Sequence, residues 1–519
     1  MARTPLAQAI GALTRRVQDQ AAAEQPGVGP SRRDVLRGAV ALGVAAGGVG
    51  LSRARSAQAA GIASSVRVVV VGAGLAGLSA AYQLRQVGII STILEASDRV
   101  GGRCWSSRGL FAQGQVAEHG GELIDQGHTA VRELAQTLGL PLDNLLAAEP
   151  SGTEPFYWFD GAPYTYAQAT DDIKTIWQQI HSDVSAASYP TLYNSYTARG
   201  YALDHLSIAD WIAAYVPGGA ASRLGRLLDV AYNIEYGAET SQQSSLNMLY
   251  LLGYSGQGQF RVFGPSNEKY HVAGGNDQLA TGLAAALPGQ VRLGTQLVAL
   301  ARNSDGTWTV TSRAGTKTTS QVADHVVLAL PFSLLARVDL TRAGFPALKT
   351  TAIRELPMGT NSKLQLQFSD RHWNLLGNTG DTYSDRGYQT TWDVTRGQAG
   401  SNGVLVDYTG GAIGADFGSP TPAQYAQCFL GQIEPVLPGL TAKWNGRVLL
   451  DFWRTYPWSL GSYSYWKVGQ YTGFSGVEKE AVGSCHFAGE HTSQDSQGYL
   501  NGAVETGYRA AAEILAALK

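Results

Sequence analysis

The stretch VRVVVVGAGLAGLSAAYQL, from Val66 to Leu84, decides the fold of this chain. Its β-branched start predicts a buried strand, the turn carries Gly72-x-Gly74-x-x-Gly77, and the leucines that follow have helical spacing. A second short apolar run ends at Glu95, 18 residues beyond Gly77. A strand, turn and helix of this kind place a pyrophosphate at the helix N-terminus, and the acidic residue accepts hydrogen bonds from ribose hydroxyls. The segment therefore predicts a dinucleotide-binding βαβ unit.

The sequence after Glu95 distinguishes between a nicotinamide and a flavin dinucleotide. Residues 96–103 read ASDRVGGR. They resemble the second signature of the flavin-dependent amine oxidase family, in which the glycine pair lets the backbone lie against the diphosphate and the arginine, here Arg103, supplies a cation. Residues 486–507 read HFAGEHTSQDSQGYLNGAVETG and lead into an apolar stripe typical of a helix. In both segments the chain resembles the flavin-dependent amine oxidase family, of the monoamine oxidase, polyamine oxidase and L-amino-acid oxidase type. The resemblance runs from the first strand to the C-terminus.

The resemblance implies an α/β fold with a discontinuous, Rossmann-like FAD-binding domain of the GR2 type and an inserted mixed α+β substrate-binding domain. A chain of this length also exceeds what one core usually holds. The first insertion is helical in pattern, with a capped helix start at Ser207, whereas the second alternates as strands. The FAD-binding domain is expected over residues 62–149, 266–344 and 453–519, and the substrate-binding domain over residues 150–265 and 345–452.

The residues that the resemblance assigns to FAD come from several segments, among them a β-hairpin whose backbone holds the adenine. They are Gly72, Gly74, Leu75, Ala76, Gly77, Glu95, Ala96, Arg103, Gly120, Gly121, Glu122, Leu123, Val298, Gly489, Glu490, Tyr499 and Leu500. The helix that begins near Leu500 is expected to point its N-terminus at the flavin, where its dipole favours the reduced anion. Ser462 stands where monoamine oxidases carry a cysteine bonded to the flavin, so FAD is expected to be bound non-covalently.

Three residues carry the catalytic hypothesis. Lys363 resembles the family lysine that holds a water against flavin N5, and the alternative is a solvated lysine on a strand surface. Tyr463 and Tyr499 resemble the two tyrosines that stand parallel in front of the flavin and sandwich the amine. The alternative for each is an ordinary core tyrosine.

The segment His119-Gly120-Gly121-Glu122-Leu123 bears on the substrate. The family runs this backbone along the flavin, and L-amino-acid oxidases place nearby an arginine that grips the substrate carboxylate. Here no arginine follows the glycine pair before Arg132. A carboxylate substrate is thereby disfavoured, and a cationic amine attracted by Glu122 is expected. Alternatively, Glu122 contacts only the cofactor or a helix start.

The resemblance implies transfer of a hydride from the carbon beside a neutral amine nitrogen to flavin N5. The resulting imine hydrolyses to an aldehyde or ketone, and molecular oxygen reoxidises the flavin to give hydrogen peroxide. An L-amino-acid oxidase of the same superfamily is one alternative. A flavoprotein with a non-catalytic binding role, in which FAD is a structural element, is another.

The first sixty residues have a different character. Residues 31–36, SRRDVL, precede a weakly apolar run over residues 38–51 that is too short and glycine-rich to span a bilayer of about 30 Å. The small-residue pattern Ala57-Gln58-Ala59 follows. Residues 1–59 resemble a twin-arginine signal peptide, cleaved after Ala59, which implies export to the periplasm or outside the cell. The alternative is a disordered basic leader that stays attached.

Composition narrows the set of partners. Removal of residues 1–59 changes the formal charge from -2 to -7, so no basic stripe favours nucleic acid. No second long apolar segment predicts a stable membrane span. Cys104, Cys428 and Cys485 are too scattered for a disulfide framework or a metal site. The expected partners are a small-molecule amine and O2, and a homodimer is left open.

Overall fold

The structure is a computed structural model, and it describes residues 66–253 and 262–518. The signal peptide predicted over residues 1–59 lies outside the described residues. Within the described ranges, none of the helices has both the length and the apolar character needed to cross a membrane.

A parallel sheet of five strands forms the first layer, and its strands come from three distant parts of the chain. In order across the sheet, the strands are Cys485–Phe487, His325–Leu328, Val68–Val71, Ser91–Leu94 and Val291–Arg292. Val68 and Val70 of the central strand pack into one core, and Val69 and Val71 pack into another. Both faces of the sheet are therefore covered, which explains why this strand is an unbroken valine run.

Helices cover one face of this sheet. Leu75–Gln86 and Leu500–Ala517 pack closely side by side, since a Cβ added to Gly507 would lie 2.3 Å from the Ala76 carbonyl oxygen. Thr129–Thr137 and Gln278–Ala285 contribute to the same apolar core. The C-terminal helix thus returns to the first βαβ unit, and the predicted α/β fold class is confirmed.

The other face packs against a three-stranded antiparallel sheet and two short helices. The strands are Thr295–Arg302, Trp308–Ala314 and Lys317–Ala323, and the helices are Phe332–Leu335 and Ala347–Glu355. The pairing of the first two strands is interrupted between Leu297 and Ala299, which marks a β-bulge at Val298.

A seven-stranded sheet forms the second layer and combines both insertions. In order across the sheet, its strands are Trp444–Phe452, Ser362–Phe368, Gly403–Thr409, Thr390–Asp393, Asn378–Ser384, Glu154–Phe159 and Ala162–Tyr164. The strand pattern predicted around Lys363 lies in Ser362–Phe368, which is buried along its whole length.

The helical pattern predicted for residues 150–265 is wrong at its beginning. Glu154–Phe159 and Ala162–Tyr164 form a hairpin whose first strand pairs in parallel with the second insertion. The aromatic sequence EPFYWF favours a half-buried strand. The turn residues Asp160 and Gly161 have φ of 57° and 71°, the positive values that a two-residue hairpin turn requires.

The rest of the first insertion is helical, as predicted. Its helices are Tyr166–Ala187, Ala198–Asp204, Ile208–Tyr215, Arg223–Tyr236 and Ser245–Leu252. Ser207 caps its helix, because its side chain accepts a hydrogen bond of 3.0 Å from the Asp210 amide. Arg223–Tyr236 ends at Gly237, whose φ of 66° stops the helix and leaves its last turn beside a cavity.

Shorter elements complete the chain. The remaining helices are His372–Leu375, Gly411–Ala415, Pro422–Ile433 and Gln470–Phe474. Two small antiparallel pairs join Ser106–Ser107 to Ala117–Glu118 and Leu142–Asn144 to Tyr270–Val272.

Candidate active site

A cavity of about 380 Å³ lies between the two layers, within the size range of cofactor and small-molecule sites. The dinucleotide end is lined from the parallel-sheet side by Gly72, Gly74, Leu75, Ala76, Glu95, Ala96, Thr295, Gln296, Leu297, Leu334, Arg337 and Val338. The substrate end is lined by Ile234, Glu235, Tyr236, Phe263, Glu268, Tyr383, Thr390, Trp392, Tyr408, Tyr463 and Tyr499. Both layers therefore contribute to one site.

The glycine turn leaves an open cradle at the start of the first helix. Gly72 has φ of 101°, and a Cβ on it would lie 2.5 Å from the Ala329 carbonyl oxygen. A Cβ on Gly74 would instead meet only the Gly101 carbonyl oxygen, at 4.0 Å, so the surface beside Gly74 is free of protein atoms. The amides of Leu75 and Ala76 at this helix start suit a diphosphate.

Glu95 is fixed at the end of its strand and lines the cavity with Ala96. Its carboxylate accepts hydrogen bonds from the Ala73 amide at 2.7 Å, the Ser97 amide at 2.9 Å and the Ser97 hydroxyl at 2.8 Å. These bonds hold the carboxylate where the sequence motif predicts a ribose.

An ion pair joins the two FAD motifs. Arg103 donates to Glu490 at 2.8 Å and to the Ser462 carbonyl at 2.8 Å, while Glu490 also accepts from the Ser464 hydroxyl and the Gly498 amide, each at 2.9 Å. Burial would raise the pKa of Glu490, but the positive charge of Arg103 and these hydrogen bonds lower it below its ordinary value. The pair ties three segments of the chain into one wall of the cavity.

The backbone of the glycine pair is packed tightly on both sides. A Cβ on Gly120 would lie 2.0 Å from the Arg103 carbonyl oxygen, and a Cβ on Gly121 would lie 2.6 Å from Leu500 Cδ2. Both glycines and Leu123 line the cavity. Only glycine fits between these neighbours, so the segment is held as a flat wall beside the start of the C-terminal helix.

Lys363 is buried and fully hydrogen-bonded. Its Nζ donates to the Glu122 carboxylate at 2.7 Å, to the Gly120 carbonyl at 2.8 Å and to the Glu118 carbonyl at 3.3 Å. Trp392 Nε1 donates to the other oxygen of Glu122, at 2.9 Å. Because an ammonium group has three N–H bonds, a water at Lys363 has to replace one of these acceptors, and the carbonyl at 3.3 Å is the weakest.

This arrangement differs from the alternative for Lys363 and from the expectation for Glu122. Lys363 is not solvated on a strand surface, since only 4% of it is exposed. The charge of Glu122 is neutralised by Lys363 rather than left free for a cationic amine. The role of Lys363 in holding a water stays a prediction.

Tyr463 and Tyr499 both reach the substrate end. The Tyr463 hydroxyl shares a hydrogen bond of 2.8 Å with Tyr408 and donates to the Ile234 carbonyl at 3.1 Å. A Cβ on Gly498 would lie 3.5 Å from Tyr463 Cδ2, so Tyr463 packs against the residue before Tyr499. Burial raises the pKa of both hydroxyls well above the ordinary value, which keeps both rings neutral. The aromatic sandwich itself stays a prediction.

Two residues predicted to bind FAD do not line the cavity. Gly77 lies behind the turn, where a Cβ would approach the Gly72 carbonyl oxygen to 1.9 Å, so it serves helix-to-strand packing. Val298 lies in the bulge and its carbonyl accepts from the Asp339 amide at 3.0 Å, while Leu297 faces the cavity. A contact of Val298 with adenine stays a prediction.

Neither Ser462 nor Cys104 is in a state that favours a covalent bond to the flavin. Ser462 lines the cavity and donates from its hydroxyl to Asn361 at 2.6 Å. Cys104 also lines the cavity, but its thiol donates to the Asn276 carbonyl at 3.2 Å. Burial raises the pKa of the Cys104 thiol well above its usual range, so it is not a nucleophilic thiolate.

Two carboxyl groups at the substrate end were missed from the sequence. Glu235 accepts from the Tyr499 hydroxyl at 2.7 Å. Burial raises the pKa of Glu235 to about 7; the hydrogen bond opposes this rise, and the Asp125 carboxylate adds to it. Desolvation by the surrounding protein atoms likewise raises the pKa of Glu268 well above its usual value, with Asp125 and Glu235 adding to the rise. The available signal was an acid between Ile234 and Tyr236 on an otherwise apolar helix face.

Comparison with known proteins identifies the family. The family described as flavin containing amine oxidoreductase matches residues 75–515. A Mycobacterium tuberculosis protein named as a flavin-containing monoamine oxidase is 28% identical over 474 residues, covering 88% of this chain and 97% of that protein. An L-amino acid dehydrogenase of Synechocystis is 26% identical over 487 residues, covering 88% of this chain and 96% of that protein.

A solved structure agrees on the fold. Cyclohexylamine oxidase from Brevibacterium oxydans superimposes with a TM-score of 0.75 at 22% identity, over 87% of this chain and 99% of that chain. The family match includes residues 96–103 and 486–507, and the open cradle at Gly74, just before the match begins, suits the cofactor's diphosphate. The chain belongs to the flavin-containing amine oxidoreductase family and is an oxidoreductase that acts on amines with FAD as its cofactor.

Proposed function

We propose that this protein is an exported amine oxidase that converts an amine without a carboxylate group to an imine and reduces O2 to hydrogen peroxide. One observation carries the choice of substrate: the substrate end combines aromatic rings with the carboxyl groups of Glu235 and Glu268, and none of the described residues that line it is an arginine. Its electrostatic character therefore favours a cation.

The basic residues along the cavity support this choice. Arg103 is paired with Glu490, and Lys363 is paired with Glu122. Arg337 lines the dinucleotide end. Among the described residues of the substrate end, a substrate carboxylate would therefore meet no free cation to compensate its desolvation.

The side chains of the substrate end can orient the amine and exclude water. Bound FAD supplies the hydride acceptor and passes two electrons to O2. Tyr463 and Tyr499 form apolar walls with neutral hydroxyls, so they position the carbon to be oxidised without taking its proton. After release, water hydrolyses the imine to an aldehyde or ketone and ammonia or an amine.

A substrate panel tests the proposal. Purified holoenzyme is mixed anaerobically with primary amines, secondary amines, diamines and the parent L-amino acids, and bleaching of the flavin absorbance is followed. A decarboxylated amine is expected to reduce the flavin faster than its parent amino acid, and peroxide is expected on admission of air. Faster reduction by the amino acid contradicts the choice of substrate, and no reduction by any compound contradicts an oxidase function.

The export part of the proposal rests on Arg32 and Arg33 in the leader. Twin-arginine recognition depends on guanidinium geometry that an ammonium group does not reproduce. Changing both residues to lysine is expected to hold active, FAD-loaded, unprocessed protein in the cytoplasm. Cell fractionation of both forms checks this, and normal export of the double-lysine variant contradicts the route.

A further inference from the structure

Glu235 and Tyr499 meet across the two layers of the molecule. Glu235 lies in the last turn of Arg223–Tyr236, and Tyr499 precedes Leu500–Ala517. The Tyr499 hydroxyl donates to one carboxylate oxygen of Glu235 at 2.7 Å, and both residues line the substrate end. One acceptor oxygen of Glu235 is thus oriented by a ring that also forms the wall of the site.

The surroundings of Glu235 contain acids and phenols. No described lysine, arginine or histidine forms an ion pair with it. The titratable groups that face it are Tyr232 and Tyr236 on its own helix and Asp125, Glu268, Tyr383, Tyr408, Tyr463 and Tyr499 on other elements. Burial raises the pKa of each of these tyrosines above its ordinary value, so none is a phenolate base near neutral pH.

One histidine stands behind this group. The His128 and Tyr499 rings are 4.9 Å apart, and burial lowers the pKa of His128 below its ordinary value, which favours the neutral ring. The positive charge that Glu235 lacks is therefore not supplied by this histidine. An ammonium ligand would supply it.

We propose that Glu235 binds the substrate ammonium group and accepts its proton, which prepares the neutral amine that is oxidised. The step converts R-CH2-NH3+ and the Glu235 carboxylate into R-CH2-NH2 and the Glu235 carboxylic acid, with no other reactant. Tyr499 positions the carboxylate through its hydrogen bond. This inference rests on the proposed amine oxidase function and names the residue that makes the amine reactive.

Proton transfer from the ammonium group to Glu235 is feasible because the cavity brings the pKa values of the two groups closer together. A primary amine in water has a pKa of about 10, like a lysine side chain. Desolvation lowers the pKa of an ammonium group and raises that of a carboxyl group, and the pKa of Glu235 is already about 7. Burial of the two groups together therefore brings their proton affinities closer. Glu122 is unsuitable for this role because Lys363 and Trp392 occupy its oxygens.

The first test is the pH dependence of anaerobic flavin reduction by a primary amine. In the wild-type holoenzyme, the second-order rate constant is expected to fall as the pH decreases through about 7, because protonated Glu235 accepts no proton. Glu235→Gln must bind amine that is already neutral, which is about one molecule in a hundred at about pH 8. Its rate constant at that pH is expected to be roughly 30- to 100-fold lower and to rise about tenfold per pH unit toward pH 10.

Glu268→Gln is the matched control, since it removes a carboxyl group from the same end but has no hydrogen bond to Tyr499. This variant is expected to bind the amine more weakly, but its second-order rate constant for flavin reduction should still fall as the pH decreases through about 7. Tyr499→Phe keeps the ring but removes the bond that lowers the pKa of Glu235, so the fall should move to higher pH.

A second measurement does not depend on turnover. A tertiary-alkyl amine with no hydrogen on the α-carbon is titrated calorimetrically into each holoenzyme, in buffers of different ionisation enthalpy. Wild type is expected to bind the amine together with its proton, whereas Glu235→Gln should release up to one proton per amine. Equal proton release, or a Glu235→Gln pH profile like that of wild type, overturns the inference. If no amine reduces the wild-type flavin, the proposed function itself fails.

Discussion

The two ends of the cavity differ in how their charged groups are paired. Toward FAD, Arg103 pairs with Glu490 and Lys363 pairs with Glu122. At the substrate end, the Glu235 carboxylate accepts a hydrogen bond from the Tyr499 phenol, and no described cation pairs with it. Buried charge pairs add little net stability but become strongly unfavourable when one member is lost. The ion pairs thus hold the FAD end in a fixed geometry, whereas the carboxyl group of Glu235 remains available to pair with a cationic ligand.

The largest expected effect is at the Lys363 pair. Lys363→Met leaves the Glu122 carboxylate buried without its cation, which is expected to cost about 3–5 kcal/mol of stability. The variant should release FAD at a lower temperature and, if a water at Lys363 assists the flavin, should reoxidise more slowly than wild type. Thermal scans that follow flavin release, together with stopped-flow reoxidation, measure the two effects.

The control for this prediction is the double variant Lys363→Met with Glu122→Gln. Removal of both charges leaves no unpaired ion, so most of the thermal stability should return. Slow reoxidation should persist, because the lysine is still absent. A double variant as unstable as Lys363→Met contradicts the interpretation that the ion pairs hold the FAD end in a fixed geometry.

The next largest effect concerns the aromatic walls. Tyr463→Ala or Tyr499→Ala should slow flavin reduction by about 10- to 100-fold, if orientation contributes roughly 1.4–3 kcal/mol to the transition state. Tyr499→Ala should be the slower, because it also frees Glu235. Anaerobic stopped flow, with the flavin content of each sample checked, measures both rates of flavin reduction. If both variants reduce their flavin at the wild-type rate across an amine panel, the aromatic sandwich is ruled out.

A smaller effect is expected from alanine substitutions at Gly74 and Gly77, which should change different properties of the protein. Gly77→Ala places a methyl group 1.9 Å from the Gly72 carbonyl oxygen and should destabilise the protein by at least about 1–3 kcal/mol, with or without FAD. Gly74→Ala meets no protein atom closer than 4.0 Å and should leave the FAD-free protein stable while weakening FAD binding. Chemical denaturation with and without FAD, and flavin titration, measure the contrast; equal behaviour of the two variants contradicts it.

The part of the dinucleotide end around the glycine turn could be predicted because the contacts within it are local. Gly72, Gly74 and Glu95 belong to one βαβ unit whose geometry follows from strand and helix periodicity. The same reasoning does not distinguish glycines that line the cavity from those that serve packing. Only the packed structure shows that Gly77 faces the strand and not the cavity.

The substrate end depends on contacts that no local pattern encodes. Glu235 and Tyr499 are 264 residues apart, and Glu122 and Lys363 are 241 residues apart. The residue types at Lys363 and Tyr499 were recognisable by family resemblance, but their partners were not. The hairpin at the start of residues 150–265 did carry a local signal, the aromatic run EPFYWF before Asp160-Gly161, but the sheet that its first strand joins lies more than 200 residues later in the chain.

The smallest expected effect comes from substitutions at Ser462 and Cys104, because neither residue is expected to form a covalent bond with the flavin. Ser462 donates its hydroxyl hydrogen to Asn361, and the Cys104 thiol is buried and protonated. Acid or denaturant should therefore release all the flavin from the mature protein, leaving the precipitate colourless. Ser462→Ala should behave in the same way. Flavin that stays with the wild-type polypeptide contradicts this prediction, and its loss in Cys104→Ser would locate the bond at Cys104.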